Sequence, residues 1–456
     1  MPRYLVTFVY RLLEFRYAEF DVILDLLGLD PTLVYAPSPP ETKEQNLSHL
    51  IVELPSEAIA AEILRRAILI ESVLELWGHG KDADELDASL AALPPAFTEP
   101  YMQPDMTWSL LVNGSGKTLT MAEQDSARFR VFQRVPFPGP IKLKNPQQTF
   151  WLLDHGADNA DPTPDHLYLG RAIASRQARG REWVGKGDLK RRTYLGPTSL
   201  DNEMALLMAS FAHVQQGSMV LDPFVGTGSI LVACTQFGGF CVGTDIDIRV
   251  LRGKKDGRNP ASNFAQYGLR PPELIRSDNS LFSGHFRTLA LYDAVVCDPP
   301  YGIRAGARQS GSRREVVAPV PEHMRADHIP QTRPYATKAV MNDLLKVAAR
   351  ALKVGGRLVY LLPVDISPEA GPEEGVLPTH RCLDLVCVRD QKLNSKLIRK
   401  MVVMRKGREP EEGEEEEEEV EEEEQEEEGA GGEKREEEEE EEVEGGPEMK
   451  KPHLVV

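Results

Sequence analysis

The sequence predicts an α/β protein whose chemistry sits in a parallel sheet covered on both faces, preceded by a smaller α+β region. Three observations predict it. From residue 217 onward, short apolar runs alternate with helical patterns, as in a doubly covered parallel sheet. Four of these runs, Met219–Leu221, Phe240–Thr244, Glu273–Ser277 and Tyr292–Cys297, each end in an aspartate: Asp222, Asp245, Asp278 and Asp298. A Gly226-Thr-Gly228 turn follows the first and leads into the helical run Ile230–Phe237.

Taken in order, Arg3–Tyr10 is rich in β-branched and aromatic residues and reads as a strand, and Leu12–Leu27 recurs apolar at helical spacing until Gly28 stops it. Leu50–Leu54 reads as a second strand, Ser56 as the cap of a helix Glu57–Ile70, and Asp82–Leu93 as a further helix. Residues 1–100 are expected to form one α+β unit. Thr107–Val112 opens a second unit that closes near Pro136. Within it, Gly114-Ser-Gly116-Lys117-Thr118 resembles a phosphate-binding loop, but Leu111 stands where that loop needs its first glycine, so a hairpin turn is expected. After the four aspartate-tipped strands come a helix Ala339–Leu352, a Gly355-Gly356 stop, a strand Arg357–Leu362 and a closing antiparallel pair, Cys382–Val388 with Arg399–Met404.

The net charge of −19 is unevenly placed. Residues 409–456 hold 26 acidic and 4 basic residues, which leaves residues 1–408 with 46 acidic and 49 basic, a balance of +3. A Glu-rich run with few apolar residues cannot offset its ordering entropy by burial, so a disordered acidic tail is expected there. The five cysteines show no CxxC pair and are expected as buried free thiols of a reduced compartment. No segment is apolar over about eighteen residues, so a soluble, cytoplasmic protein with no membrane span is expected. Between Leu167 and Pro197 lie Arg171, Arg176, Arg179, Arg181, Lys186, Lys190, Arg191 and Arg192, interleaved with Tyr168, Trp183 and Tyr194. That mixture suits phosphate contacts and base stacking, and an ordinary charged helix and loop is the competing reading.

Ligands of open α/β sheets bind outside the carboxyl ends of the strands, near the point where strand order reverses. The Gly-Thr-Gly turn has no lysine and is poorly equipped for pyrophosphate; its glycines let a compact cofactor approach the backbone. Asp245 is placed to accept hydrogen bonds from ribose hydroxyls and Asp278 from an adenine amine. A ligand with ribose, adenine and a charged amino-acid end satisfies these positions together. That points to S-adenosyl-L-methionine over NAD, whose enzymes carry Gly-x-Gly-x-x-Gly where this chain has Gly226-Thr-Gly228-Ser-Ile-Leu231. Asp222, Phe224, Gly226, Gly228, Asp245 and Asp278 are the cofactor-side candidates.

Asp298, Pro299, Pro300 and Tyr301 are the acceptor-side, catalytic candidates. The Asp298 carboxylate and the Pro299 carbonyl can each accept a hydrogen bond from an amine on a planar ring, and Tyr301 can stack on that ring. An amine delocalised into a base is a weak nucleophile; such hydrogen bonds favour a pyramidal nitrogen aimed at a methyl donor, and no metal is required. A base inside a duplex must first be turned out. Cys297 precedes the strand end by one residue and is expected to face the core, which argues against covalent attack on a pyrimidine. The long segment Ile303–Arg333 carries Arg304, Arg308, Arg313, Arg314, Arg325 and Arg333 and reads as a flap over the target nucleotide.

With these residues together, the chain resembles the eukaryotic tRNA guanine N2-methyltransferases that act on the guanosine at position ten. The likeness is carried by Glu75-Leu-Trp-Gly-His-Gly80, Tyr168-Leu-Gly-Arg171, Gly196-Pro-Thr-Ser199, Asp222-Pro-Phe-Val-Gly-Thr-Gly228, Gly243-Thr-Asp-Ile-Asp247, Asn263-Phe-Ala-Gln-Tyr-Gly268 and Asp298-Pro-Pro-Tyr-Gly-Ile-Arg304. The resemblance implies a ferredoxin-like unit over 1–100, the rest of a THUMP-type RNA-binding region over 101–150, a basic linker over 151–200, a Rossmann-like class I methyltransferase sheet over 201–408 and the tail over 409–456. It implies tRNA as substrate, with Arg171, Lys190, Arg191, Arg192 and Arg304 toward the RNA, and a small zinc-binding activator subunit as partner. The segment Asp247–Asn263 is shorter than the family pattern, and the Glu-rich tail is not a family hallmark. Two other readings stay open from the residues: methylation of another base amine, in DNA or other RNA, and a non-catalytic RNA-binding subunit that keeps the fold.

Overall fold

In a computed structural model, the described residues are 1–38, 47–156, 165–173, 180–197, 199–281, 290–300, 307–311, 321, 328–367 and 376–411. Two large sheets organise them, and both lie within the unit formed by residues 1–406. The first is six-stranded, with β1 (Arg3–Phe8), β2 (His49–Glu53), β3 (Ile70–Gly80), β4 (Trp108–Ser115), β5 (Gln148–His155) and β6 (His166–Ala172) in the order β2-β1-β3-β6-β5-β4. The helices Arg16–Leu26 and Glu57–Arg66 supply apolar side chains to one of its cores, around Phe20, Ile23, Ile63 and Leu64. A second core gathers Trp77, Trp108, Phe150 and Val131, the last from the helix Met121–Arg134. Helix starts follow local chemistry: Ser56 accepts from Ile59 N, Asp82 from Asp84 N and Glu85 N, and Thr120 forms a capping box with Glu123.

Three expectations differ here. The helix after Ser56 ends at Arg66, not Ile70, and Ile70–Gly80 is the central strand β3. The buried Glu19 carboxylate, reaching from the helix Arg16–Leu26, accepts from Ile68 N at 2.6 Å and Leu69 N at 2.8 Å, so a partner far in sequence draws those amides out of the helix. The Gly114–Thr118 segment is no hairpin: β4 and β5 are parallel and joined through the helix Met121–Arg134, and Lys117 is ion-paired to Asp154. Finally, β5 and β6 occupy residues 148–172, where a linker was expected to begin at 151. Their Phe150, Leu152 and Leu169 fill the second core.

The second sheet holds β7 (Met219–Asp222), β8 (Phe240–Asp245), β9 (Glu273–Arg276), β10 (Tyr292–Cys297), β13 (Leu352–Asp365), β14 (Leu383–Lys392) and β15 (Leu397–Lys406) in the order β14-β15-β13-β10-β7-β8-β9. The five strands from β13 to β9 are parallel, and β14 and β15 close the edge as an antiparallel pair. Chain order reverses between β7 and β10, which makes the space between their carboxyl ends the switch point. Apolar clusters cover both faces. A two-stranded ribbon, β11 (Arg308–Ser310) with β12 (Thr332–Pro334), comes from the segment after β10.

The two sheets are fastened through the helices Arg16–Leu26 and Asn202–Phe211. Phe15 meets Phe211 edge-on at 6.3 Å, and Arg357 of β13 donates to the Phe211 carbonyl at 3.1 Å and to Asp25 at 2.8 Å. All five cysteines carry free thiols; four are buried and Cys387 is half-buried. Among the described residues no helix is long and apolar enough to cross a membrane.

Candidate active site

The four aspartates stand at the carboxyl ends of β7, β8, β9 and β10, along one edge of the sheet. Asp222 is 1% exposed, and its Oδ1 accepts from Phe224 N at 3.0 Å. Burial pushes its carboxyl well above the usual range, and the charges of Asp245 and Asp298 push the same way. The loop after β7 is drawn against β8: Val225 N donates to Thr244 O at 2.9 Å, and Gly226 N to Asp245 Oδ2 at 3.0 Å. Gly226 and Gly228 both adopt positive φ, +50° and +83°, a conformation that disfavours residues with a Cβ. Asp245 also accepts from Asp247 N at 2.8 Å; burial still raises its pKa against these two hydrogen bonds.

Asp278 is 3% exposed and accepts from Ser280 N, Ser280 Oγ and Ser310 N. Burial pushes its carboxyl up, but the hydrogen bonds from Ser310 and Ser280 outweigh it and hold the pKa below the ordinary value. The described part of the expected flap, the β11 and β12 ribbon, thus folds back on the third strand end. Asp298 follows β10, its pKa pushed up to about 6 by burial and opposed by the charge of Arg399. Cys297 is fully buried, as its place in the strand requires, and burial pushes its thiol well up, which removes it as a nucleophile. Tyr301 and Arg304 lie outside the described residues, as do Arg176, Arg179, Arg313, Arg314 and Arg325.

Two expected RNA contacts point inward. Arg171 on β6 is 3% exposed, bonds Glu75 at 2.8 Å and Glu57 at 2.7 Å, and lies 4.1 Å over the Tyr101 ring. Arg192 donates to Ser229 Oγ, Gly187 O and Asn202 Oδ1. The acidic partners of Arg171 lie far away in sequence, and Arg192 turns inward to Asn202 and Ser229, so a basic stripe read along the chain included two structural arginines. Lys190 and Arg191 are exposed.

Several residues around the site carried no assigned role in the sequence. Asn263 is fully buried: it accepts from Tyr194 N at 2.8 Å and donates to Tyr194 O at 2.9 Å and Thr227 O at 3.1 Å. Ser199 Oγ lies 2.8 Å from Thr227 Oγ1 and accepts from Gly196 N. These bonds join the Tyr194–Ser199 stretch to the Gly-Thr-Gly turn, and Asn279 Nδ2 holds the other end of the loop through Pro223 O at 2.8 Å. The quoted motifs around Gly196 and Asn263 held the signal, but only contact between them gives it meaning.

The residues fit S-adenosyl-L-methionine. Asp245 and Asp298 bring negative charge to bear on the buried Asp222, which favours a cationic ligand at this edge. Beyond β9, Ser277 Oγ and Asn279 Oδ1 are buried without hydrogen-bond partners among the described residues, and Asn279 Oδ1 can accept from an adenine amine.

Comparison with known proteins agrees with this geometry. A family model described as Tmrp11 THUMP N-terminal domain matches residues 2–178, and one described as RMKL-like, methyltransferase domain matches residues 190–314. The chain is 36% identical over 425 residues to tRNA (guanine(10)-N(2))-methyltransferase TRMT11 of Gallus gallus, with 90% of this chain and 89% of that protein covered. Its identity to the protein of the same name from Homo sapiens is 36%, covering 89% and 88%, and to that from Dictyostelium discoideum 35%, covering 89% and 82%. The chain belongs to the TRMT11 family of tRNA (guanine(10)-N(2))-methyltransferases.

Proposed function

We propose that this chain is the catalytic subunit that transfers a methyl group from S-adenosyl-L-methionine to the exocyclic N2 amine of guanosine 10 in tRNA. The observation that carries the reading is Asp298-Pro299-Pro300 at the end of β10, across the switch point from the Asp222 loop. S-adenosyl-L-methionine supplies the electrophilic methyl group when bound. Gly226, Gly228 and Phe224 shape the cradle of that cofactor; Asp245 orients its ribose, and Asp278 with Asn279 its adenine. The Asp298 carboxylate and the Pro299 carbonyl accept the two amine hydrogens and turn the nitrogen lone pair toward the donor. A carboxyl titrating near pH 6 is ionised at neutral pH and close enough in pKa to take up the proton the nitrogen loses.

The six-stranded sheet binds the tRNA body, and exposed Lys190 and Arg191 contact its phosphates between that sheet and the active site. Domain limits follow the strands: an RNA-binding unit through residue 173, a connecting segment to about residue 200, and the methyltransferase domain from Asp201 to Lys406. A small zinc-binding activator subunit as partner, and a cytoplasmic location, belong to the same reading.

The test is transfer of labelled methyl to total tRNA and to DNA, with the modified nucleoside mapped by mass spectrometry. N2-methylguanosine at position 10 supports the reading. Label in DNA alone, or in adenosine, overturns it.

A further inference from the structure

The antiparallel pair that closes the sheet brings two polar side chains toward the acceptor edge. Register places Cys297 beside Tyr360 of β13, Tyr360 beside Val402 of β15, Leu361 beside Met401 and Pro363 beside Arg399. On β14, Gln391 lies directly opposite Arg399. Side chains alternate between faces along a strand. Asp298, one residue past Cys297, therefore shares the face of Leu361 and Met401. Arg399 and Gln391 stand on that same face, farther toward the edge where β10 ends.

Both side chains are incomplete as hydrogen-bonding groups. Arg399 Nη1, a donor, and Gln391 Oε1, an acceptor, are buried and without a hydrogen-bond partner among the described residues. A buried polar atom in that state is costly, and native structures keep few of them. The charge of Arg399 is also the one that opposes burial at Asp298, which places it within electrostatic reach of that carboxylate. β15 lies two strands from β10, roughly 10 Å away, a gap that a purine and the Arg399 side chain span together.

A guanine whose N2 amine is held by Asp298 presents two further groups along the same edge, the N1–H donor and the O6 acceptor. We propose that Gln391 and Arg399 read these two groups, Gln391 Oε1 accepting from N1–H and Arg399 Nη1 donating to O6, and so select guanine among bases. Adenine reverses both polarities, with an acceptor at N1 and a donor at N6, and leaves both protein atoms facing like partners. The proposal rests on the guanine N2 reading above and names the residues that enforce it.

The experiment compares kcat/KM at pH 8, where Asp298 is ionised, for two tRNAs that differ only at position 10: guanosine, or 2-aminopurine riboside, which keeps the 2-amine but lacks O6 and N1–H. The full chain with its activator is used. The wild-type enzyme should favour guanosine by about 10- to 100-fold. Arg399→Met and Gln391→Leu should lose most of that factor on guanosine and hold or raise the rate on 2-aminopurine, which no longer leaves those two protein atoms unmatched, with cofactor binding and melting temperature held. Arg399→Lys, which keeps a donor, should recover part of the guanosine rate. Equal losses on both substrates, or a wild-type enzyme indifferent between them, would overturn the assignment. A wild-type enzyme that methylates 2-aminopurine at its amine yet leaves guanosine untouched contradicts the guanine reading itself, and this assignment with it.

Discussion

Asn263 and Tyr194 exchange two hydrogen bonds across 69 residues of sequence: the Tyr194 amide donates to Asn263 Oδ1 at 2.8 Å, and Asn263 Nδ2 donates to the Tyr194 carbonyl at 2.9 Å. The same Nδ2 donates to Thr227 O, inside the Gly-Thr-Gly turn. One buried amide therefore holds both the connecting segment and the Gly-Thr-Gly turn.

Asn263→Ala should leave three backbone groups without this partner. A loss of about 2–4 kcal/mol in stability is expected from groups of this kind. The KM for S-adenosyl-L-methionine should rise at least about tenfold, since a misplacement near 1 Å costs more than that in positioned chemistry. Thermal melting and steady-state kinetics read the two effects separately. An unchanged KM in a folded variant would disconnect Asn263 from the cofactor loop.

Acidity should limit the reaction through Asp298. Its folded pKa of about 6 means that the accepting, ionised form is lost as pH falls through 6. The rate should therefore drop about tenfold per pH unit below that point, with a plateau above pH 7. Asp298→Asn should remove this acid limb along with most of the activity. A profile flat from pH 5 to pH 8 would exclude an ionised Asp298 from the rate.

Arg171 and Arg191 should separate by assay. Arg171→Ala breaks a buried ion pair with Glu75 and a second with Glu57, and a loss of roughly 3–5 kcal/mol in stability is expected. Arg191→Ala should leave melting unchanged and weaken tRNA binding, with the salt dependence of log K reduced by about one. Filter binding across a salt series tells them apart.

Glu19 should make stability depend on pH. Burial raises its pKa from 4.5 to about 7, against the hydrogen bonds from Ile68 and Leu69 and the charge of Arg66. The folded state then holds a proton that the unfolded chain releases, so the stabilisation is full below pH 4.5 and is lost as pH rises through 7. The amount is on the order of 3 kcal/mol. Glu19→Gln should flatten the denaturation midpoint between pH 5 and pH 8; an unaltered slope would assign that dependence to other groups.

The catalytic sheet was legible in the sequence because β7, β8 and β10 are nearly continuous apolar runs, each with an aspartate at its carboxyl end. The closing pair β14 and β15 was legible for the same reason of pattern. The amino-terminal sheet was less so. Ile70–Gly80 follows a helix with no Gly or Pro between them, and the break comes from Glu19, about fifty residues away. Arg171 and Arg192 read as RNA contacts because a linear pattern shows neither Glu75 nor Asn202 beside them. Arg399 and Gln391 carried no signal, since only strand register brings them toward Asp298.

The central claim is that Asp298 holds the amine that is methylated. The most direct measurement is mass spectrometry of position 10 in tRNA treated with labelled S-adenosyl-L-methionine and either the wild-type chain or Asp298→Ala, each with the proposed activator present, with cofactor binding measured in parallel. The account predicts N2-methylguanosine from the wild type and a loss of at least about 10²-fold in rate for the variant, with cofactor affinity within a few-fold. Methylation at the wild-type rate by Asp298→Ala would contradict it.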